Sequence, residues 1–250
     1  MPVLKLMMAY DGTDFRGFAR QPGARTIQGV LEDALGRVLG SVPRISVAGR
    51  TDAGVHAEGQ VVSFAAEADP ARMERALNGM LGPEVVVRAV LAPAGFDARR
   101  NARAREYRYH LRTTDFPDPF TARYVWHRPG TYALAPMRRA ARDLEGEHDF
   151  TSFSRAPKTP ASPVRRLDRL GVRRIGDLLE FRARAGGFLH QMVRSLVGTL
   201  VAVGEGKMDP GAMTEVLGAR SRAAAGPVAP PHGLTLVRVI YGARPGKTDR

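Results

Sequence analysis

The residues with the most chemical potential stand in one stretch, Ala48-Gly49-Arg50-Thr51-Asp52-Ala53-Gly54-Val55-His56-Ala57-Glu58-Gly59-Gln60. Short apolar runs flank it, Ile45-Ser46-Val47 before and Val61-Val62-Ser63-Phe64 after, and its glycines permit turns that other residues resist. The stretch therefore reads as a loop between two strands. Asp52 lies near its middle, with Arg50 two residues earlier. Two readings are open: a hairpin loop in which Asp52 closes an Asx turn, or a rigid loop that presents one carboxylate, flanked by a base, to a substrate. In the second case the carboxylate can serve as nucleophile or general base. A second candidate is Tyr107 in Ala104-Arg105-Glu106-Tyr107-Arg108-Tyr109, which read from the residues alone is a tyrosine on the inner face of a strand. A third is Arg194 in Phe188-Leu189-His190-Gln191-Met192-Val193-Arg194. From Gly186 to Gly204 it is the one residue that must carry charge. An arginine cannot neutralise itself, so on a buried helix it needs a carboxylate or phosphate partner; the alternative is a side chain reaching water from the helix edge. His56 and His190 are isolated histidines, and no pair has metal-site spacing, so no metal is expected.

The elements that must position these residues follow from periodicity. Leu4, Leu6, Met8 and Tyr10 alternate as a strand that Asp11-Gly12 ends. Phe15-Arg16-Gly17-Phe18-Ala19-Arg20-Gln21 is a basic loop; its two aromatics suit either base stacking on RNA or a core at the strand exit. Thr26 caps a helix with apolar residues from Ile27 to Leu39, and Gly40 stops it. Asp69-Pro70 opens a second helix through Leu81, and Val85 to Leu91 is a strand. The first hundred residues thus read β-α-β-β-α-β. A polar, arginine-dense connector runs from Ala94 to Arg105. It predicts two halves, 1–104 carrying the Asp52 loop and 105–250.

Beyond the connector, Glu106 to Arg112 is a strand with Tyr107, Tyr109 and Leu111 on one face. A helix ends at Gly146, and Glu147 to Pro163 reads as irregular. Arg166–Ile175 and Leu178–Ala185 form a hairpin turned at Gly176-Asp177. Phe188 to Val203 is a helix, Asp209-Pro210 starts a short one, and Leu234 to Tyr241 is the last strand; Arg244 to Arg250 reads as a loose tail. The second half repeats β-α-β-β-α-β with one extra helix. The expected fold class is α+β, two tandem ferredoxin-like (RRM-like) halves.

Bulk composition narrows the partners. The 250 residues carry a net charge of +13, which points to nucleic acid or another anionic surface. Lysine occurs only at Lys5, Lys158, Lys207 and Lys247, so arginine supplies nearly all the positive charge. Candidate phosphate contacts are Arg16, Arg20, Arg99, Arg103 and Arg105. There is no cysteine, which excludes disulfides, thiolate metal sites and a cysteine nucleophile. No apolar run approaches the roughly 20 residues of a membrane span, and Val3 to Ala9 is too short for a signal peptide. A cytoplasmic protein is expected.

Gly49-Arg50-Thr51-Asp52-Ala53-Gly54-Val55-His56 resembles the signature loop of the A-type tRNA pseudouridine synthases, which act on the anticodon arm. The resemblance extends from Tyr10-Asp11-Gly12 to the final strand. It implies that Asp52 is the essential catalytic residue, and that Tyr107, first tyrosine of Tyr-Arg-Tyr, stands against the target base. It also implies that Arg194 pairs with the aspartate. Arg50 is placed to occupy the space a flipped base vacates, or to hold a phosphate. The implied reaction is isomerisation of uridine to pseudouridine at positions 38, 39 and 40 of the tRNA anticodon stem-loop, without a cofactor. The implied assembly is a homodimer, with one mostly antiparallel sheet and RNA in a cleft between the halves. The chain departs from the family at Phe18 and Ala19, where tryptophan and glutamine are usual, so no role is carried to those two. A non-catalytic tandem-RRM binder lacks support, because the aromatic RNP1 pattern is absent. A metal-dependent nuclease also lacks it, because Glu58 is the acid nearest Asp52 and none clusters there.

Overall fold

The computed structural model describes residues 1–155 and 162–242, so the tail expected at Arg244–Arg250 lies outside the described residues. The elements are β1 (Val3–Tyr10), α1 (Ile27–Leu39), β2 (Ser46–Val47), β3 (His56–Ala65), α2 (Pro70–Leu81) and β4 (Val85–Ala92). They continue as β5 (Ala104–Arg112), β6 (Trp126–His127), α3 (Leu134–Asp143), β7 (Gly146–Asp149), β8 (Val164–Ile175) and β9 (Leu178–Ala185). The chain closes with α4 (Met192–Gly204), α5 (Met213–Ala219) and β10 (Leu234–Ile240). The architecture is α+β and mostly antiparallel, two β-α-β-β-α-β halves in tandem with β6, β7 and α5 added to the second. Contacts divide the chain into two compact units: Met1–Arg105 with the chain from Leu236 onward, and Glu106–Thr235. Among the described residues no helix is long and apolar enough to cross a membrane.

In the first unit β1 is central, paired antiparallel with β3 on one side and β4 on the other. Its alternation sends Leu4, Leu6, Met8 and Tyr10 inward. Ile27, Leu31, Ala34 and Leu35 of α1 and Met73, Leu77 and Leu81 of α2 are buried as apolar stripes. Thr26 Oγ1 accepts from Gly29 N at 3.1 Å, and Gly40 ends α1 at φ +75°. The Asp69 carboxylate accepts from Ala71 N and Arg72 N, so Pro70 begins α2 where its missing N–H costs nothing. β3 starts at His56, five residues before the expected Val61. Sequence alternation hides this start because His56 and Gln60 are polar yet buried, each held by specific hydrogen bonds. The register pairs Met8 with Gln60 and Tyr10 with Ala57, with an irregularity between Met8 and Tyr10.

In the second unit β9 lies between β5 and β8, with β7 beyond β8 and the short β6 parallel to β5. β7 falls in the stretch read as irregular: Gly146-Glu147-His148-Asp149 is polar and carries no apolar period. The hairpin of β8 and β9 turns at Gly176, whose φ is +57°. Every residue of α4 is buried except Arg194. The helix begins at Met192, and Phe188 to Gln191 precede it outside helical geometry, with Gln191 at φ +62°.

One face of this sheet carries Tyr107, Tyr109 and Leu111 of β5 into the core; the other carries a polar cluster. The Glu180 carboxylate accepts from Arg173 Nε at 2.7 Å and Arg182 Nε at 2.8 Å, and lies 3.4 Å from His110 Nε2. Burial pushes this carboxyl up, but hydrogen bonds from Arg182 and Arg173 outweigh it and hold the pKa at about 2. A folded-state value below the unfolded one contributes stability that is present above about pH 4.5 and lost as pH falls toward 2. Glu180→Gln should therefore be less stable than the wild type by about 1–3 kcal/mol at pH 7. The gap should close between pH 4.5 and pH 2 in urea titrations. A gap independent of pH would remove the ion cluster as its source.

Candidate active site

The loop before β3 is built from backbone groups that find partners on neighbouring segments, all within the first unit. Ala48 N donates to Val61 O at 2.9 Å, closing the loop's entry against β3. Phe18 N donates to Thr51 O at 3.0 Å, and Gly54 N to Phe15 O at 3.3 Å, so the segment after β1 clamps the loop from one side. Val55 N donates to Asp52 O at 3.2 Å, making a turn whose third residue, Gly54, has φ +75°. Close approach requires glycine at Gly12, where an added Cβ would fall 2.1 Å from Val55 O. Gly12 N also donates to His56 Nδ1 at 3.0 Å, so this histidine supports the loop. Asp52 itself is half-buried and Arg50 is exposed.

Three side chains brace the same loop from beneath. Tyr10 Oη lies 2.8 Å from Thr51 Oγ1, and Gln60 Nε2 donates to Gly49 O at 2.6 Å and to Tyr10 Oη at 3.3 Å. The Arg105 guanidinium donates from Nε to Ala48 O at 3.0 Å, with a further bond from Nη2 to the same oxygen. It also reaches Ala102 O at 3.4 Å and Arg99 O at 3.3 Å. Arg105, expected among the phosphate contacts, is thus buried at 9% exposure and occupied with carbonyls of its own unit. The others, Arg16, Arg20, Arg99 and Arg103, are exposed, and Arg20 forms ion pairs with Glu32 at 3.0 Å and Asp33 at 3.3 Å. Phe15 and Phe18 are core residues at 2% and 0% exposure, which removes them from base stacking. The sequence signal for the brace was weak: Tyr10 looks like the fourth buried residue of β1, and Gln60 like a polar loop residue.

In the second unit Tyr107 is buried at 8% exposure and meets Phe188 edge-on, ring centroids 5.2 Å apart at 90°. The Tyr-Arg-Tyr strand and the Phe188–Arg194 segment therefore touch. Arg194 lies in the first turn of α4, and its Nε donates to Ala229 O at 2.7 Å. Ala229 N in turn donates to Arg194 O at 3.1 Å, so the 223–231 loop fastens this end of the helix. The guanidinium of Arg194 pulls against the burial that raises the neighbouring Tyr109 hydroxyl far above its ordinary range. Among the described residues no group of three or more His, Asp or Glu could hold a metal ion.

An α+β chain with a braced carboxylate loop in one unit and an aromatic strand against an arginine-bearing segment in the other has the parts of an RNA-modifying enzyme. The comparisons make that class specific. The family described as tRNA pseudouridine synthase matches residues 6–98 and 140–242. The chain is 44% identical over 243 residues to tRNA pseudouridine synthase A of Geobacillus kaustophilus, covering 95% of this chain and 94% of that one. It is 43% identical over 245 residues to the protein of the same name from Methylobacterium nodulans, with 96% of each covered. The Brevibacillus brevis protein of that name matches at 43% over 244 residues, covering 96% of this chain and all of that one. The chain belongs to the tRNA pseudouridine synthase family of isomerases.

The brace makes its own prediction. Arg105→Met keeps the aliphatic stem but strips the donors from Ala48, Ala102 and Arg99 carbonyls. Unfolding free energy should fall by about 3 kcal/mol, the scale of buried hydrogen bonds to a charged group. An unchanged urea midpoint combined with weakened tRNA binding would instead make Arg105 a phosphate contact.

Proposed function

We propose that this chain isomerises uridine to pseudouridine at positions 38, 39 and 40 of the tRNA anticodon stem-loop, with Asp52 as its catalytic residue and no cofactor. The supporting observation is a half-buried carboxylate on a loop whose flanking backbone is fixed by buried hydrogen bonds, in a chain of this family. In the reaction the N1–C1′ bond breaks, the uracil turns, and C5 bonds to C1′. The C5 hydrogen leaves as a proton and N1 regains one, so the product is an isomer and no redox partner takes part. Asp52 acts as nucleophile or base toward the nucleotide. Tyr107 stands against the uracil, and Arg194 supports the aspartate as the family pattern implies. Arg50 is exposed beside Asp52, where it can fill the space left by the extruded base or hold a phosphate. Arg16, Arg20, Arg99 and Arg103 serve the phosphates, with Arg105 acting through the loop. The protein works as a homodimer in the cytoplasm.

Transcribed tRNA carrying tritium at uridine C5 tests the reading. A synthase releases label to water and leaves the RNA full length; a nuclease shortens the RNA, and a binder does neither. Release confined to positions 38–40 is expected, and intact RNA with all label retained would overturn the proposal. Affinity should also respond steeply to salt. A +13 protein that binds through phosphates should lose log affinity with log salt at about −0.7 per single-strand contact, over several contacts. A flat dependence would assign the charge to another partner.

A further inference from the structure

Tyr10 and Gln60 are buried polar residues that the reaction itself does not use. Both point to the interior at the loop end of the first unit's sheet, Tyr10 at 4% exposure and Gln60 at 0%. Their hydrogen bonds fix one another's direction. Gln60 Oε1 accepts from Val61 N at 3.1 Å, which orients the amide so that Nε2 faces Gly49 O and Tyr10 Oη. Tyr10 Oη accepts from that amide and shares a 2.8 Å hydrogen bond with Thr51 Oγ1, in which either oxygen can donate. Burial pushes the Tyr10 hydroxyl up to about 12, so it stays protonated through the neutral range. One connected set of bonds therefore holds Gly49 and Thr51, the residues on either side of Arg50, and Thr51 is the last residue before Asp52.

We infer that Tyr10 and Gln60 are positioning residues for the Asp52 carboxylate, acting through the Gly49 carbonyl and the Thr51 hydroxyl. The inference rests on the reading of Asp52 as the catalytic residue. Without the hydroxyl of Tyr10, Thr51 loses its anchor while the Phe18-packed ring of residue 10 stays in place, 6.4 Å between centroids. Catalysis is sensitive to displacements of about 1 Å, which cost on the order of a hundredfold in rate. Substrate affinity is carried elsewhere, by phosphate contacts. The signature of positioning is thus a loss in rate without a loss in binding.

The test measures single-turnover tritium release at saturating tRNA, tRNA Kd and urea midpoint for the full-length protein and its variants. Tyr10→Phe and Thr51→Val should each lower the rate about tenfold or more with Kd within about twofold. The double variant should lose no more than the worse single one, because both remove the same bond. Thr51→Ser, which keeps the hydroxyl, should retain at least about half the rate. Thr51 sits on the loop and not in the strand core, so Thr51→Val and Thr51→Ser decide the matter if Tyr10→Phe fails to fold. Wild-type rates in Thr51→Val, losses that multiply in the double variant, or a loss confined to Kd would each overturn the inference. A parallel Asp52→Asn protein separates the two claims. If it turns over normally, the reading of Asp52 fails; if it is inactive while Thr51→Val is not, only the positioning role fails.

Discussion

A side-chain carboxylate can be aimed only if the backbone that carries it is fixed, and a loop's backbone is fixed only when its buried polar groups are satisfied. That constraint governs the first unit. The loop from Ala48 to Val55 has no ladder of its own, so its carbonyls and amides are taken up by Val61, Phe18, Phe15, Gln60 and Arg105. Each partner in turn must sit where it does. Gly12 is glycine because the backbone of Val55 passes where a Cβ would be, and Gly17 adopts φ +95° with Thr51 O 3.1 Å from where its Cβ would stand. The strand β1, the segment after it, and the connector ending at Arg105 converge on one short loop. Elsewhere in the unit, apolar burial holds the sheet and helices together, but here hydrogen bonding decides the geometry.

The second unit applies a different solution to its own candidate residues. Tyr107 is held by packing, edge-on to Phe188, with β5 alternation setting its direction. Arg194 is held by the reciprocal bonds between its residue and Ala229. Arg194 is the one residue of its helix that is not buried, and its Nε finds an acceptor in the Ala229 carbonyl.

Much of this was legible in the residues. The order of elements, both helix caps in the first half, the hairpin at Gly176-Asp177 and the singular charge of Arg194 follow from spacing and turn chemistry. Part of what escaped involves polar residues doing interior work, His56, Gln60 and Arg105 among them. The early start of β3 was hidden by His56 and Gln60, and β7 by a polar tetrapeptide. The role of Arg105 was hidden because an arginine in a basic connector reads as a phosphate contact until its acceptors are seen. Phe15 and Phe18 stood open between two readings: aromatics among arginines fit RNA as well as they fit a core, and burial chose the core.

The proposed catalysis turns on the carboxylate of Asp52, and one substitution addresses it without changing shape. Asp52→Asn, prepared free of wild-type enzyme, should lower single-turnover tritium release from C5-labelled tRNA by at least about a thousandfold, within the range for loss of an acid–base group. Its affinity for tRNA should stay within about tenfold, roughly 1.4 kcal/mol. Turnover within about tenfold of the wild type would contradict the account.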